Sequence, residues 1–437
     1  MQQVNSTLYA LNKDGSFQCW KVFIAGNQVV VEFGKVGGKK QQKVTTCEPK
    51  NVGRSNETTA EQQALAEAVS KWEKQVRLGY RDDTSKLEQE ENFSPMLAHD
   101  ATKRSKSIVY PAYVQPKLDG VRALVTLDAD GFPQFNSRGN KLYPVPLDSE
   151  LSEQVKSLSE HSGFDKFDGE LYIHGLSLQK IVALAKKWRT PEQIEEEIEK
   201  DYQSDLKRHQ KAIDNGEDSW KDFDGDVYSV AVEPVKDVDR YGGYSSLDLE
   251  YHIFDIPCSN KPWMINDGIS DYTDKECRYK DLMDTDHFTS VIKADKINVV
   301  QGNVFDTDDE VKQSIGHFMQ QGFEGAIIRN FKGVYEFGQR SSDLQKWKLF
   351  QDGEAKVLDS VEDKNGEGVL LCEEKDGTRF NCKMKGTHAE RSQERMLLLV
   401  GKFINFTFQA RTDDGVPQFP VGQSVRELDT LTWEPVY

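Results

Sequence analysis

Over roughly the first 45 positions, apolar and polar residues alternate in short runs. Leu8-Tyr9-Ala10, Trp20-Lys21-Val22-Phe23-Ile24 and Gln28-Val29-Val30-Val31-Glu32-Phe33 read as strands, separated by the turn signals Lys13-Asp14-Gly15 and Ala25-Gly26-Asn27. The tract 34–43 is a basic, glycine-rich loop. The period then lengthens: Ala64, Leu65, Ala68 and Trp72 recur at helical intervals behind Thr58 and Glu61, which have capping-box spacing. This predicts a β-then-α unit over residues 1–80, followed by a polar linker over 81–92.

Mixed α/β patterning fills residues 93–350, with an amphipathic helix from Leu178 to Trp188. The charged stretch from Pro191 to Asp218 has helical composition but little apolar face. It reads as a solvated surface insertion over about 190–226. From Glu354 onward strand-like segments return between turns at Asp363-Lys364-Asn365-Gly366 and Lys375-Asp376-Gly377. A small closed or nearly closed β-barrel is expected over 351–437. The expected class is therefore multidomain α+β, with 437 residues leaving room for two or three separate cores.

Composition narrows the compartment. The opening Met1-Gln2-Gln3-Val4-Asn5-Ser6 has neither the basic nor the apolar region of a secretory signal, and no apolar run is long enough to span a bilayer. Six scattered cysteines without a CxxC spacing argue against a disulfide framework or a zinc finger, and fit a reducing cytoplasm. A formal charge of −17 argues against a protein that coats nucleic acid indiscriminately. Yet residues 1–80 carry eleven Lys and Arg against seven Asp and Glu, while acidity concentrates between Glu192 and Asp226. A nucleic-acid enzyme of this composition needs its basic residues to converge on one surface.

The chemistry-bearing residues recur beside apolar runs. Lys117-Leu118-Asp119-Gly120 ends one strand and turns into the next. Alone, such a lysine is most simply a solvated turn residue. Downstream, however, come Ser137-Arg138-Gly139, Asp168-Gly169-Glu170-Leu171, Tyr251-His252-Ile253-Phe254-Asp255, Glu324-Gly325 through Arg329, and Lys346-Trp347-Lys348. A lysine nucleophile must be neutral, and a free lysine is only about 0.1% neutral near pH 7.5. Lys346, Lys348 or a metal ion would lower its pKa and offset charge on a transferring phosphoryl group. Glu170 and Glu324 could bind a ribose hydroxyl and Mg²⁺, Phe254 could stack on a purine, and Arg122 and Arg138 suit bidentate phosphate binding.

In that order, the motifs resemble those of the covalent nucleotidyltransferases, and most closely the ATP-dependent DNA ligases of compact viral and phage type. The resemblance covers about residues 93–437 and includes the prelude Ser94-Pro95-Met96-Leu97-Ala98. It implies an adenylyltransferase domain over 93–350 and an OB-fold over 351–437. Lys117 would form lysyl-AMP, Gln115 would meet the adenine edge, Phe254 would stack on the base and Glu170 would touch the ribose. Glu324, with Glu170, would hold Mg²⁺ (or Mn²⁺ in its place). Lys346 and Lys348 would contact the α-phosphate, Arg340 the ATP phosphates, and Arg122 and Arg138 the 5′-phosphate side.

The ending Gly415-Val416-Pro417-Gln418-Phe419-Pro420 with Arg426 matches the family's terminal pattern, except that Leu428 stands where an acidic residue is usual and Asp429 follows one place later. Lys383 and Lys385 are candidate DNA contacts. Residues 1–80 resemble a WGR domain, its signature altered to Phe33-Gly34-Lys35, with Lys35, Lys39, Lys40 and Lys43 facing DNA. The partner implied is nicked double-stranded DNA, bound by a monomer away from membranes. An RNA ligase or GTP-using capping enzyme, and a catalytically silent nick-binding scaffold, are the alternatives. A P-loop ATPase is disfavoured because no G-x-x-x-x-G-K-[ST] occurs.

Overall fold

A computed structural model describes residues 1–12, 14–53, 56–87, 94–223, 225–257, 289–290, 293–330, 333, 335–348, 350–363, 365–412 and 414–427. The N-terminal unit is an antiparallel five-stranded sheet, with Phe17–Ala25 paired to Gln28–Lys35 and Gln41–Thr46 beyond it. Its helix Ala60–Arg77 lays Ala64 and Ala68 over Leu8, Trp20, Val22 and Val29. The helix cap falls one residue later than the spacing predicts. Thr59, not Thr58, accepts from the Gln62 N–H at 3.2 Å, and Gln62 accepts in return from the Thr59 N–H at 2.9 Å. Thr58 is excluded because its backbone is already paired with Lys50 in a β-bridge.

The central region holds two five-stranded sheets. In the first, Ala112–Lys117 lies between Asn303–Phe305 and Gly325–Asn330, and Arg340–Trp347 and Leu97–Asp100 follow outward. Helix Asp308–Gln320 covers it with Val311, Ile315 and Phe318. In the second, Lys166–Tyr172 lies between Val121–Leu127 and Glu250–Asp255. Helices Glu150–Ser162 and Leu178–Lys186 supply Leu151, Val155, Leu158, Ile181 and Leu184 to its core. The chain crosses from the first sheet to the second through Leu118-Asp119-Gly120, and returns to the first through residues 300–302, between Ile297–Val299 and Asn303–Phe305.

The acidic stretch is not merely a solvated face. Pro191–Asn215 forms a 25-residue helix with a Thr190/Gln193 capping box, and Ile198, His209 and Ala212 are buried on one side. A following hairpin, Ser219–Lys221 with Val227–Ser229, supplies the apolar partner that the helix sequence lacks. Trp220 is buried against His209 at 5.3 Å between ring centroids, and its indole N–H donates to the Val232 carbonyl at 2.9 Å.

Beyond Arg340–Trp347, strands Gln351–Glu362, Gly368–Glu373, Arg379–Met384, Phe403–Phe408 and Val421–Arg426 form a closed barrel. Closure is possible because the 12-residue strand pairs with Phe403–Phe408 over its first half and with Gly368–Glu373 over its second. Among the described residues no helix is long and apolar enough to cross a membrane.

Candidate active site

Lys117 ends its strand opposite Gly325, and its ammonium is ion-paired with Glu324. The Glu324 N–H donates back to the Lys117 carbonyl at 2.9 Å, so backbone and side chains fix the same pair. Residue 325 must be glycine: its φ is +151°, and a Cβ there would stand 2.2 Å from the Trp347 carbonyl oxygen. That close approach brings Lys348, one residue past its strand, onto Glu324 as well. The side chains of Lys117, Lys348 and Glu324 are only 20%, 18% and 6% exposed, so the three charges meet with little water between them.

Here the electrostatics run opposite to the sequence expectation for Lys117. Burial disfavours its charged form, but attraction to Glu324 and Glu170 and the hydrogen bond to Glu324 outweigh that, and its pKa is raised. One of the cations expected to depress it is itself taken up: Lys348 is neutralised by Glu324. Lys346 behaves differently. Burial, then Lys348, Lys117 and Arg340, lower its pKa, and among the described residues no carboxylate pairs with it. Arg340 begins the same strand, exposed, with its guanidinium on the Ala98 carbonyl. Between Ser341 and Gln345 the partner strand advances only from Ala98 to His99, a bulge that shortens the path from Arg340 to Lys346.

The second sheet contributes Arg122, Glu170 and Phe254. Glu170 accepts from the Gly120 N–H at 3.0 Å. Burial pushes its pKa up to about 7 against the pull of Lys117, the Gly120 N–H and Arg122. Arg122 is not free for phosphate: it is held by Asp168, which is fully buried, with Nε 2.9 Å from Oδ1 and a second contact to Oδ2. Tyr335 donates to the same carboxylate at 2.6 Å. Phe254 is half-buried, with the Arg122 and Arg329 guanidinium carbons 5.4 and 5.8 Å from its ring centroid.

Gln115 is not at an open edge. It is 1% exposed, donates to the Val300 carbonyl at 2.7 Å and to the Phe254 carbonyl at 3.4 Å, and accepts from Arg329 Nε at 2.8 Å. Its amide is therefore spent on holding Arg329, which is also paired with the buried Asp255. Asp168, Tyr335, Asp255 and Arg329 are site residues that motif reading left without roles, although three of them stand inside the motifs. Gln409 carried no signal at all: it belongs to the barrel, 61 residues from Lys348, yet its amide hydrogen-bonds both Lys348 and Glu324.

The expected DNA contacts divide similarly. Arg138 is exposed just past Ser137, which pairs with Ala123, so it leaves the sheet beside Arg122. Lys39, Lys43 and Lys385 are exposed. Lys35 instead pairs with Asp14 at 3.0 Å, and Lys40 turns back to carbonyls of its own loop. Lys383 is held by Asp363 at 2.6 Å and Glu367 at 2.7 Å, which uses up its charge locally. Arg426 is exposed on the last barrel strand, whereas Leu428 and Asp429 lie outside the described residues.

The residues present fit Mg²⁺. Asp119, Glu170 and Glu324 offer only oxygen donors, and burial together with Glu324 raises the Asp119 pKa, a sign of crowded carboxylates.

Comparison with known proteins agrees with this arrangement. Residues 225–348 match the ATP dependent DNA ligase domain, a stretch that begins after Lys117, and residues 363–426 match the DNA ligase OB-like domain. A DNA ligase of African swine fever virus is 26% identical over 375 residues, covering 83% of this chain and 71% of the viral protein. A solved Lig E DNA ligase superposes with a TM-score of 0.50 at 19% identity, covering 76% of this chain and 99% of its own. The structure named Pmar-Lig_Pre gives a TM-score of 0.53 at 17% identity, covering 77% and 68%. At that identity these two superpositions speak for the fold alone. Both domain models match in chain order, and the lysine, carboxylate and paired-lysine motifs gather at one place, so the chain carries the domains of an ATP-dependent DNA ligase.

Proposed function

We propose that the chain seals nicks in duplex DNA, using Lys117 as the nucleophile. The observation that carries this reading is the convergence of Lys117 and Lys348 on the single carboxylate of Glu324, with Lys346 beside them and without a carboxylate partner among the described residues. First, the neutral amine of Lys117 attacks the α-phosphorus of ATP. An N–P bond forms, the bond to the bridging oxygen breaks, and pyrophosphate leaves. Lys346 and Lys348 offset the charge that develops on the phosphoryl oxygens. Next, a 5′-phosphate oxygen displaces Lys117 and takes the AMP. Finally the 3′-hydroxyl attacks the activated phosphorus, losing its proton as AMP departs.

The resting enzyme stores Lys117 as an ammonium on Glu324, so its proton must leave before the first step. A Mg²⁺ ion held by Glu324, with Asp119 nearby, would supply Lewis-acid charge stabilisation. Phe254 offers a ring for the adenine, with its position supported by Arg329 and Gln115. Glu170, half neutral near pH 7, is suited to a ribose hydroxyl. Arg138 serves the 5′-phosphate side, with Arg122 behind it on Asp168.

We further read residues 1–80 as a WGR-like module, 93–350 as the adenylyltransferase domain and 351–437 as the OB-fold. Of the four lysines expected to face DNA, Lys39 and Lys43 are exposed and free of a carboxylate partner among the described residues, and these are the cations offered to a DNA backbone. The Asn140 amide donates to the Arg77 carbonyl at 3.1 Å, which puts the helix end of that module next to the Arg138 loop.

The test is a gel assay with α-labelled ATP, Mg²⁺ and a nicked duplex. A labelled protein band that disappears on adding nicked DNA, while sealed product appears, is expected. Preferential labelling by GTP, or a band that nicked DNA cannot discharge, would overturn the assignment in favour of a capping or RNA-directed enzyme.

A further inference from the structure

Gln409 stands one residue beyond the barrel strand Phe403–Phe408, so its position is set by the barrel rather than by either central sheet. Its side-chain carbonyl accepts from the Lys348 ammonium at 2.9 Å, while its N–H donates to Glu324 Oε1. Lys348 donates to that same oxygen. The three groups therefore close a ring of three hydrogen bonds, two accepted by the charged carboxylate and two donated by the charged ammonium, the Lys348–Glu324 bond being both. A primary amide suits this corner because it presents a donor and an acceptor side by side without adding charge. The other carboxylate oxygen, Oε2, is left to Lys117.

We propose that Gln409 is a positioning residue for lysine adenylation: from the barrel it holds Lys348 on Glu324 Oε1, and so keeps Oε2 directed at Lys117. The proposal rests on Lys117 being the nucleophile. Without the amide, Lys348 has Glu324 as its one anchor, and a four-carbon lysine stem leaves the ammonium free to wander over several rotamers. The carboxylate that both lysines share then loses its fixed orientation. Catalytic groups displaced by as little as about 1 Å can lose on the order of a hundredfold in rate. Gln409 touches neither nucleotide nor DNA in this scheme. It acts through Lys348, and that makes the claim separable from a general contribution to folding.

The test measures single-turnover formation of lysyl-AMP by the full chain over a range of ATP concentrations. Four proteins are compared: wild type, Gln409→Met, Lys348→Ala and the double variant. Gln409→Met keeps the side-chain length but lacks the amide. It should slow the maximal rate by about tenfold, the weight of one charge-assisted hydrogen bond. The half-saturating ATP concentration should stay within about twofold. In the Lys348→Ala background the same change should cost nothing more, because the residue it positions has gone.

If Gln409→Met melts early, Gln409→Glu replaces it: the shape is retained, but a second carboxylate faces Glu324, and the maximal rate should again fall. A maximal rate equal to wild type overturns the proposal. So does a loss confined to ATP affinity, or a full additional loss in the Lys348→Ala background. Failure of wild type itself to form lysyl-AMP would overturn the reading of Lys117, and the proposal with it.

Discussion

Replacing Asp168 by alanine tests whether the second sheet is organised by charge burial. Asp168 is completely buried, and its two oxygens hold Arg122 while Oδ2 also takes the Tyr335 hydroxyl. Removing one member of a buried ion pair typically costs about 3–5 kcal/mol, because the remaining charge is stranded. The Arg122 side chain is 21% exposed, so water recovers part of its charge and the lower end, about 3 kcal/mol, applies. The lost Tyr335 hydrogen bond adds about 1 kcal/mol. For a region of this size each kcal/mol moves the melting point by about 2–4 °C. Calorimetry should therefore find the central transition lowered by about 8–16 °C in Asp168→Ala. Asp168→Asn, which keeps the shape and one acceptor, should fall between. A central transition within about 2 °C of wild type in Asp168→Ala would refute the reasoning, since it would mean that Arg122 is comfortable without its carboxylate.

Lys117→Ala should abolish lysyl-AMP while leaving the circular dichroism spectrum unchanged, because Glu324 retains Lys348 and Gln409 as partners; an unfolded variant would make Lys117 a structural residue first. Glu170 gives the chain a pH signature. Its folded pKa of about 7 lies above its ordinary value of 4.5, so between those values the folded state binds more protons than the unfolded one, and stability falls as pH rises. The loss should reach at most about 3 kcal/mol, and urea titrations of Glu170→Gln at pH 5 and pH 7.5 should show it removed. Deleting residues 1–80 should spare lysyl-AMP formation and reduce the slope of log affinity against log salt for a nicked duplex by about two, one for each of Lys39 and Lys43. Identical slopes for the two proteins would show that the module makes no backbone contact.

Much of this was legible in the sequence where the signal is local. The strands around Trp20 and Val30, the helix from Leu178 and the turn after Lys117 follow from periodicity and turn residues, and the structure has them. Errors arose where a partner from elsewhere in the chain decides the outcome. The insertion helix looked solvated because its buried face is met by Trp220, on a hairpin that follows it. Lys35 and Lys383 looked like free cations until Asp14, Asp363 and Glu367 folded against them. The sign of the Lys117 shift was misjudged for the same reason: Lys348, expected to repel it, is bound by the carboxylate that also holds Lys117. Nothing local to Gln409 could place it 61 residues away on Lys348.

The tripeptide that carries the chain from the first central sheet to the second has a consequence for how the chain can vary. Surface turns are ordinarily where insertions and deletions are absorbed without harm. Leu118-Asp119-Gly120 is a turn by position, but it sets the spacing between Lys117 on one sheet and Glu170 on the other. It has no slack. The Gly120 N–H is bonded to Glu170, and a Cβ at Gly120 would lie 2.6 Å from the Leu171 carbonyl oxygen. One residue more or fewer would slide the halves of the nucleotide site past each other by about 3 Å, the rise of one extended residue, while leaving both sheets able to fold. Among descendants of this chain, length change should therefore accumulate at surface loops and never in this tripeptide, which works as a gauge rather than a loop.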